Sequence, residues 1–265
     1  MSTVGATSAA DATADARRPV QPYGRIVVVG GGCYGSYYVR QLRRAERAGA
    51  ITWDELVVVD RDDACTVAAL APGDRPPRLR LVTELWDDYF ARYLVAAADD
   101  ASRLSDAIVP SPLMPHLMAD WLAARARERW PRRDVGIAPI DELPAIPWQR
   151  SGEDGTRYVS FAQWICPINC IEPARCPETR GPRSWSLPVA LTAAASKVER
   201  GEASTLPLLF HCTHRAYGVG MIDVRDVVQA DATIAARGAA REAEFMVGTV
   251  SHCHGALRRI TIGSA

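Results

Sequence analysis

Three cysteines fall within eleven residues in Cys166-Pro-Ile-Asn-Cys170-Ile-Glu-Pro-Ala-Arg-Cys176-Pro. Proline follows two of them, which stiffens the loop and removes N–H groups that would compete for the sulfurs. Thiolates this close together are stable when a cation neutralises them. Four of the five histidines lie in two further motifs, His211-Cys212-Thr213-His214 and Ser251-His252-Cys253-His254. Each motif ends a strand-like run. In an extended chain Cys212 and His214 share one face, while His252 and His254 share a face and Cys253 turns away. Each motif therefore offers a cysteine or a pair of histidines rather than all its donors. The preferred ligand set is Cys166, Cys170 and Cys176, closed by Cys212 or Cys253, with His211, His214, His252 and His254 as further candidates. Four thiolates suit a [4Fe–4S] cluster or zinc, and three thiolates with one histidine favour zinc. The alternative is a set of small buried thiols and polar loop histidines.

A second stretch carries different chemistry. Arg25-Ile-Val-Val-Val-Gly30-Gly31-Gly32-Cys33-Tyr34-Gly35 is a β-branched run ending in G-x-G-x-x-G. A helix-like stretch follows over 36–48, then an apolar run that stops on Asp60. This strand–turn–helix–strand–acid order is what a dinucleotide site requires. The glycines permit a tight turn, close approach of a pyrophosphate and close helix packing. The helix N-terminus supplies free N–H groups and partial positive charge. The expected cofactor contacts are Gly30, Gly31, Gly32, Cys33, Tyr34, Gly35, Asp60 and Arg61. Asp60 favours NAD over NADP by repelling a 2′-phosphate, and the neighbouring Arg61 softens that preference.

The elements that must position these residues read as alternating strands and helices. Strands are expected over 25–29, 55–60, 79–82 and 106–109, with a short fifth over 134–137. Helices are expected over 87–97 and 113–130. The pattern predicts an α/β fold with a doubly wound parallel Rossmann sheet. His116 follows the fourth strand in Pro110-Ser-Pro-Leu-Met-Pro-His116. There it borders the nicotinamide half of such a site and is a catalytic candidate, against the plainer reading of a capping or core histidine. After about residue 140 prolines become frequent and periodicity fades. Strand-like runs return over 206–211, 219–224, 245–251 and 257–262. The expected organisation is a disordered tail over 1–22, a dinucleotide-binding domain over 23–140, and a smaller α+β, Cys/His-rich metal-binding part over 141–265.

Composition narrows the function classes. The chain has 265 residues, with 31 basic and 31 acidic side chains and no net charge. That balance argues against nucleic acid or a polybasic membrane contact. No apolar run is long enough to span a bilayer. The first residues lack the apolar core of a secretory signal, and seven cysteines is an odd number. Both point to a reducing cytoplasm.

The stretch from Arg25 to about Leu94, through Gly30, Gly32, Gly35 and Asp60, resembles the NAD-binding regulatory domains of bacterial potassium-uptake systems. Its Gly-Gly-Gly-x-x-Gly start is also similar to that of the precorrin-2 dehydrogenases. The resemblance implies a Rossmann fold and a nucleotide ligand, with no definite reaction. The leading expectation is an NAD(P)-dependent oxidoreductase with a metal centre beside the dinucleotide. Its partner would be a small-molecule substrate or a redox protein, and it could form homo-oligomers. A non-enzymatic NAD(H) or redox sensor and a metal-handling or maturation protein are the alternatives.

Overall fold

The computed structural model describes residues 20–140, 143–168, 170–198 and 205–264. The expected tail over 1–22 lies outside them up to residue 19, and the first strand already begins at Gln21. The molecule is mixed α/β, with two mixed sheets and five α-helices among the described residues.

Four strands of the first sheet are parallel. They are β1 (Gln21–Val29), β2 (Ile51–Asp60), β3 (Leu79–Thr83) and β4 (Ala107–Val109). Ile26 to Val29 pair with Leu56 to Val59 on one side, and Ile26 to Val28 with Ala107 to Val109 on the other. Val27, Val28, Val57 and Val58 are completely buried. An uninterrupted β-branched run suits a strand covered on both faces. The expected limits of these strands hold to within a few residues.

Two later strands complete this sheet: β10 (Val219–Asp223) lies antiparallel to β4, and β9 (Thr213–Ala216) antiparallel to β10. The order is β3-β2-β1-β4-β10-β9. The second sheet has the order β6-β7-β12-β11-β8, formed by β6 (Trp148–Ser151), β7 (Arg157–Ser160), β8 (Thr205–His211), β11 (Ala243–Val250) and β12 (His254–Ile262). The run expected as a fifth parallel strand, β5 (Val135–Ala138), pairs antiparallel with β12 in this second sheet. The chain therefore crosses the expected boundary at residue 140 in both directions.

Helices α2 (Trp86–Asp99), α3 (Leu117–Arg129) and α5 (Val224–Ala240) fill the space between the sheets. Phe90, Leu122 and Ile234 share one core with Val27 and Val57 of the first sheet and Phe245 and Ile260 of the second. Helix α1 (Cys33–Arg47) covers the outer face of the first sheet through Val39, Leu42 and Ala45. Helix α4 (Leu187–Val198) covers the outer face of the second through Leu187 and Leu191. Helix α3 starts at Leu117, not at 113, because Pro115 precedes it and Met114 N–H bonds Ser111 O in a turn. A buried carboxylate pins the amino edge of the first sheet. Asp106 accepts from Tyr93 Oη at 2.6 Å and from Arg25 N at 2.7 Å.

One connection matters for the site. Strand β8 ends at His211 in the second sheet and β9 begins at Thr213 in the first. A single residue, Cys212, carries the chain from sheet to sheet, held by its N–H on Val250 O at 2.7 Å.

Candidate functional site

The carboxyl ends of β1 and β2 hold the first group of candidate residues. Gly30 has φ +86°, a conformation that side chains disfavour, and its N–H bonds Val59 O at 2.8 Å. The next N–H, of Gly31, donates to Asp60 Oδ2 at 2.6 Å, while Asp60 Oδ1 accepts from Asp62 N at 2.9 Å. Asp60 thus clasps the glycine loop to the turn after β2, and each oxygen keeps a lone pair for a further donor. Gly31 is backed by Cys65, whose Sγ would sit 2.4 Å from an added Cβ. Trp86 forms a floor, with its indole N–H on Val59 O at 2.9 Å and its ring 3.6 Å from a Cβ placed on Gly30.

Gly32 differs from its neighbours. A Cβ there would meet nothing within 4 Å. Gly32 is also the N-cap of α1, with no side-chain capping bond and no acidic residue in the first turn. The partial positive charge of the helix end therefore faces open space at Gly32, Cys33 and Tyr34. Arg61 is exposed beside Asp60.

A second, separate group surrounds the turn between β11 and β12. Glu172, buried and held at φ +49°, turns inward from the cysteine loop. Its carboxylate accepts from Ser251 Oγ at 2.6 Å, His252 N at 2.8 Å and Cys253 N at 3.0 Å. Burial alone would raise its pKa, but these three donors outweigh it and hold the carboxyl below its ordinary range. The rings of His211 and His252 meet edge to face, with centroids 4.8 Å apart. His211 Nε2 is buried without a hydrogen-bond partner. Burial and the neighbouring His252 lower the His211 pKa, and burial lowers that of His214.

His254 stands apart from this group. Ser160 Oγ donates its one hydrogen to Ala162 O at 2.7 Å and lies 3.0 Å from His254 Nδ1. His254 therefore carries its proton on Nδ1 and presents an Nε2 lone pair. The face-sharing expected for Cys212 and His214 holds, since Cys212 Sγ and His214 Nε2 lie 2.6 and 3.7 Å from one point, the Cβ position of Gly220. The expectation for His252 and His254 does not apply. Residues 251–253 form a turn, closed by Ser251 N–H on His254 O, so strand alternation stops at Val250.

The cysteines divide into separate surroundings. Cys166, Cys170 and Cys176 lie near enough for burial and the two other thiols to raise the pKa of Cys166. Backbone N–H groups of Thr179 and Glu178 lower that of Cys176. Cys253 Sγ takes the Trp185 indole N–H at 3.3 Å. Burial pushes the thiols of Cys212 and Cys253 up to about 12. Among the described residues, no three His, Cys, Asp or Glu side chains already stand in a metal-ligand arrangement.

His116 caps α3 among charged groups. Its ring nitrogens lie 3.6 Å from Asp120 and 3.9 Å from Asp154. Arg258, 5% exposed, bridges the same two carboxylates and Thr156 Oγ1. Burial lowers the His116 pKa. Arg258, Asp120 and Asp154 carried no sequence signal, because charges this common acquire meaning only when the fold buries them.

Residues 118–263, more than half of the chain, match the AF_1314_C family model, described as "Uncharacterized protein, C-terminal domain". The chain belongs to that family. The matched region begins in α3 and contains the cysteine loop, both histidine motifs and strands β5 to β12, while the glycine loop lies before it. No curated protein and no solved structure matches the chain. No helix among the described residues is long and apolar enough to cross a membrane.

Proposed function

We propose that the chain is an NAD(P)-dependent oxidoreductase, with a doubly wound, Rossmann-type first sheet and a Cys/His metal centre at the same edge. The observation that carries this reading is the Gly30–Gly35 loop. It is clasped by Asp60, fitted closely at Gly31 and Gly35, and open at Gly32 above an uncapped helix end. The parallel order β3-β2-β1-β4 accompanies it. When bound, NAD(H) supplies or accepts hydride. The N–H groups at Gly32 and Cys33 would hold its pyrophosphate, and the free Asp60 lone pairs its ribose hydroxyls. The metal centre would orient or polarise a carbonyl.

The test of the nucleotide assignment is Gly32→Val followed by NADH fluorescence. The variant should fold, because the site has room for the side chain, and should lose NADH affinity by more than about 100-fold, because the side chain takes the phosphate's place. Unchanged affinity removes the assignment. Asp60→Ala should weaken NAD and narrow its advantage over NADP, read in paired titrations. A wild type that already prefers NADP would mean that Arg61 outweighs Asp60.

A redox protein is the second partner class that the surface favours. Ile165, just before Cys166, is 98% exposed, and Ile171, just after Cys170, is 57% exposed. Exposed apolar groups around thiols suit docking of another protein. The one-residue link at Cys212 also suits a non-enzymatic sensor in which nucleotide binding alters the histidine group. Tight NADH binding without turnover of any substrate would favour the sensor.

A further inference from the structure

We infer that the cleft between the C-terminus of α5 and the adjoining ends of β8, β11 and β12 binds a small zwitterion with an apolar body, of the free amino acid or dipeptide class. The inference goes beyond the nucleotide and metal readings and does not rest on them.

The cleft arises where α5 stops. The helix ends at Ala240, Arg241 leaves it in an extended conformation, and β11 starts at Ala243. The last carbonyls of a helix have no partner within it. Here Arg133 serves them. Its guanidinium donates to Gly238 O, to Arg241 O at 2.9 Å and to Gly263 O at 2.8 Å. One side chain thus ties the end of α5 to the chain just past β12, and it lies over the Trp130 ring at 5.4 Å. The wall of the cleft is fixed before any ligand arrives. The β11–β12 ladder runs from Ala243 and Ile262 beside the cleft to Val250 and Gly255 beside the turn, so its whole length separates the cleft from His252.

The cleft has a volume of about 490 Å³, within the usual range of small-molecule sites. Leu206, Phe245 and Ile262 line it, and the last two are buried, which gives it an apolar floor. Arg237, Arg241, Asp134 and Glu242 line the same space from exposed positions. Among the described residues, no hydrogen bond or ion pair engages any of these four side chains. Glu244 differs, since Arg259 lies 3.7 Å from its carboxylate. Two free guanidiniums suit a carboxylate, and two free carboxylates suit an ammonium. A plain anion would meet Asp134 and Glu242, and a plain cation would meet Arg237 and Arg241. A molecule with both charges and an apolar body satisfies rim and floor together.

Isothermal titration with L-leucyl-L-leucine tests the inference. It uses wild-type protein and two double variants, Arg237→Gln with Arg241→Gln and Asp134→Asn with Glu242→Gln. All four positions are exposed, so both variants should fold, and circular dichroism checks this. Wild type should bind one dipeptide. Amidating its carboxylate or acetylating its amine should each weaken binding by about 10-fold, the size of a lost charged hydrogen bond. The arginine variant should lose as much and become indifferent to amidation. The carboxylate variant should become indifferent to acetylation. No binding to wild type overturns the inference, as does equal binding of the free and capped dipeptides. Full affinity in both double variants, or displacement of the dipeptide by NADH, would place the ligand elsewhere and equally overturn it.

Discussion

Gly35→Ala should destabilise the protein by about 3 kcal/mol and abolish the nucleotide binding proposed above. An added Cβ would lie 1.8 Å from Gly30 O and 2.8 Å from its carbon. Both atoms are backbone, so no side chain can rotate aside. Relief requires α1 to move off β1, which opens the core around Val28 and Val39. A loss of that size removes a large part of a typical domain's net stability. Urea unfolding followed by circular dichroism measures it. An unchanged midpoint would mean that α1 tolerates a wider separation and that Gly35 is not what fixes the loop. The contrast with Gly32→Val is the informative part, since that change should remove binding and spare stability.

The second large effect is expected at Glu172. Glu172→Ala leaves Ser251 Oγ, His252 N and Cys253 N without their acceptor, and charged acceptors of this kind put the loss at about 3 kcal/mol. Glu172→Gln keeps an acceptor and should lose roughly half as much. The effect depends on pH with a definite sign. The folded pKa of Glu172 lies below its ordinary 4.5, so its contribution is complete above 4.5 and disappears as pH falls through the lower folded value. His211, His214 and His254 are also shifted down from 6.5. The unfolded chain takes up their protons first, so stability begins to fall below pH 6.5. Urea midpoints measured across this range should show both limbs in wild type. Glu172→Gln should have a smaller lower limb, because Asp154 and Glu55 are also held below their ordinary range, and should keep the upper. Identical curves would show that the carboxylate bonds contribute nothing.

The glycine loop was legible because everything that defines it is local. A β-branched run, three spaced glycines and an acid at the end of the next strand lie within one continuous stretch, and their geometry follows from it. The second half was legible only as a list of donors. Cysteine spacing suggested one shared ion, yet the spacing cannot show that Glu172 leaves the loop to cap a distant turn, or that Trp185 occupies Cys253. The strands around Val219 and Ala243 were visible as apolar runs, but their sheet assignments were not. Pairing of Ile222 with Ile108 leaves no mark in either segment. Helix α5 was missed because its buried residues, such as Val227 and Ile234, are diluted among alanine and charged positions.

The position of β10 has a consequence for how the chain is made. Strand β4, Ala107-Ile108-Val109, is fully buried in the finished protein. As the nascent chain leaves the ribosome, however, the neighbour that covers its free edge has not been synthesised. That neighbour lies beyond α3, the cysteine loop and α4. Until Asp223 emerges, the first half of the protein carries an unpaired apolar edge of the kind that recruits other chains. A fragment ending near residue 140 would keep that edge permanently, and would be expected to aggregate rather than survive as a smaller nucleotide-binding unit.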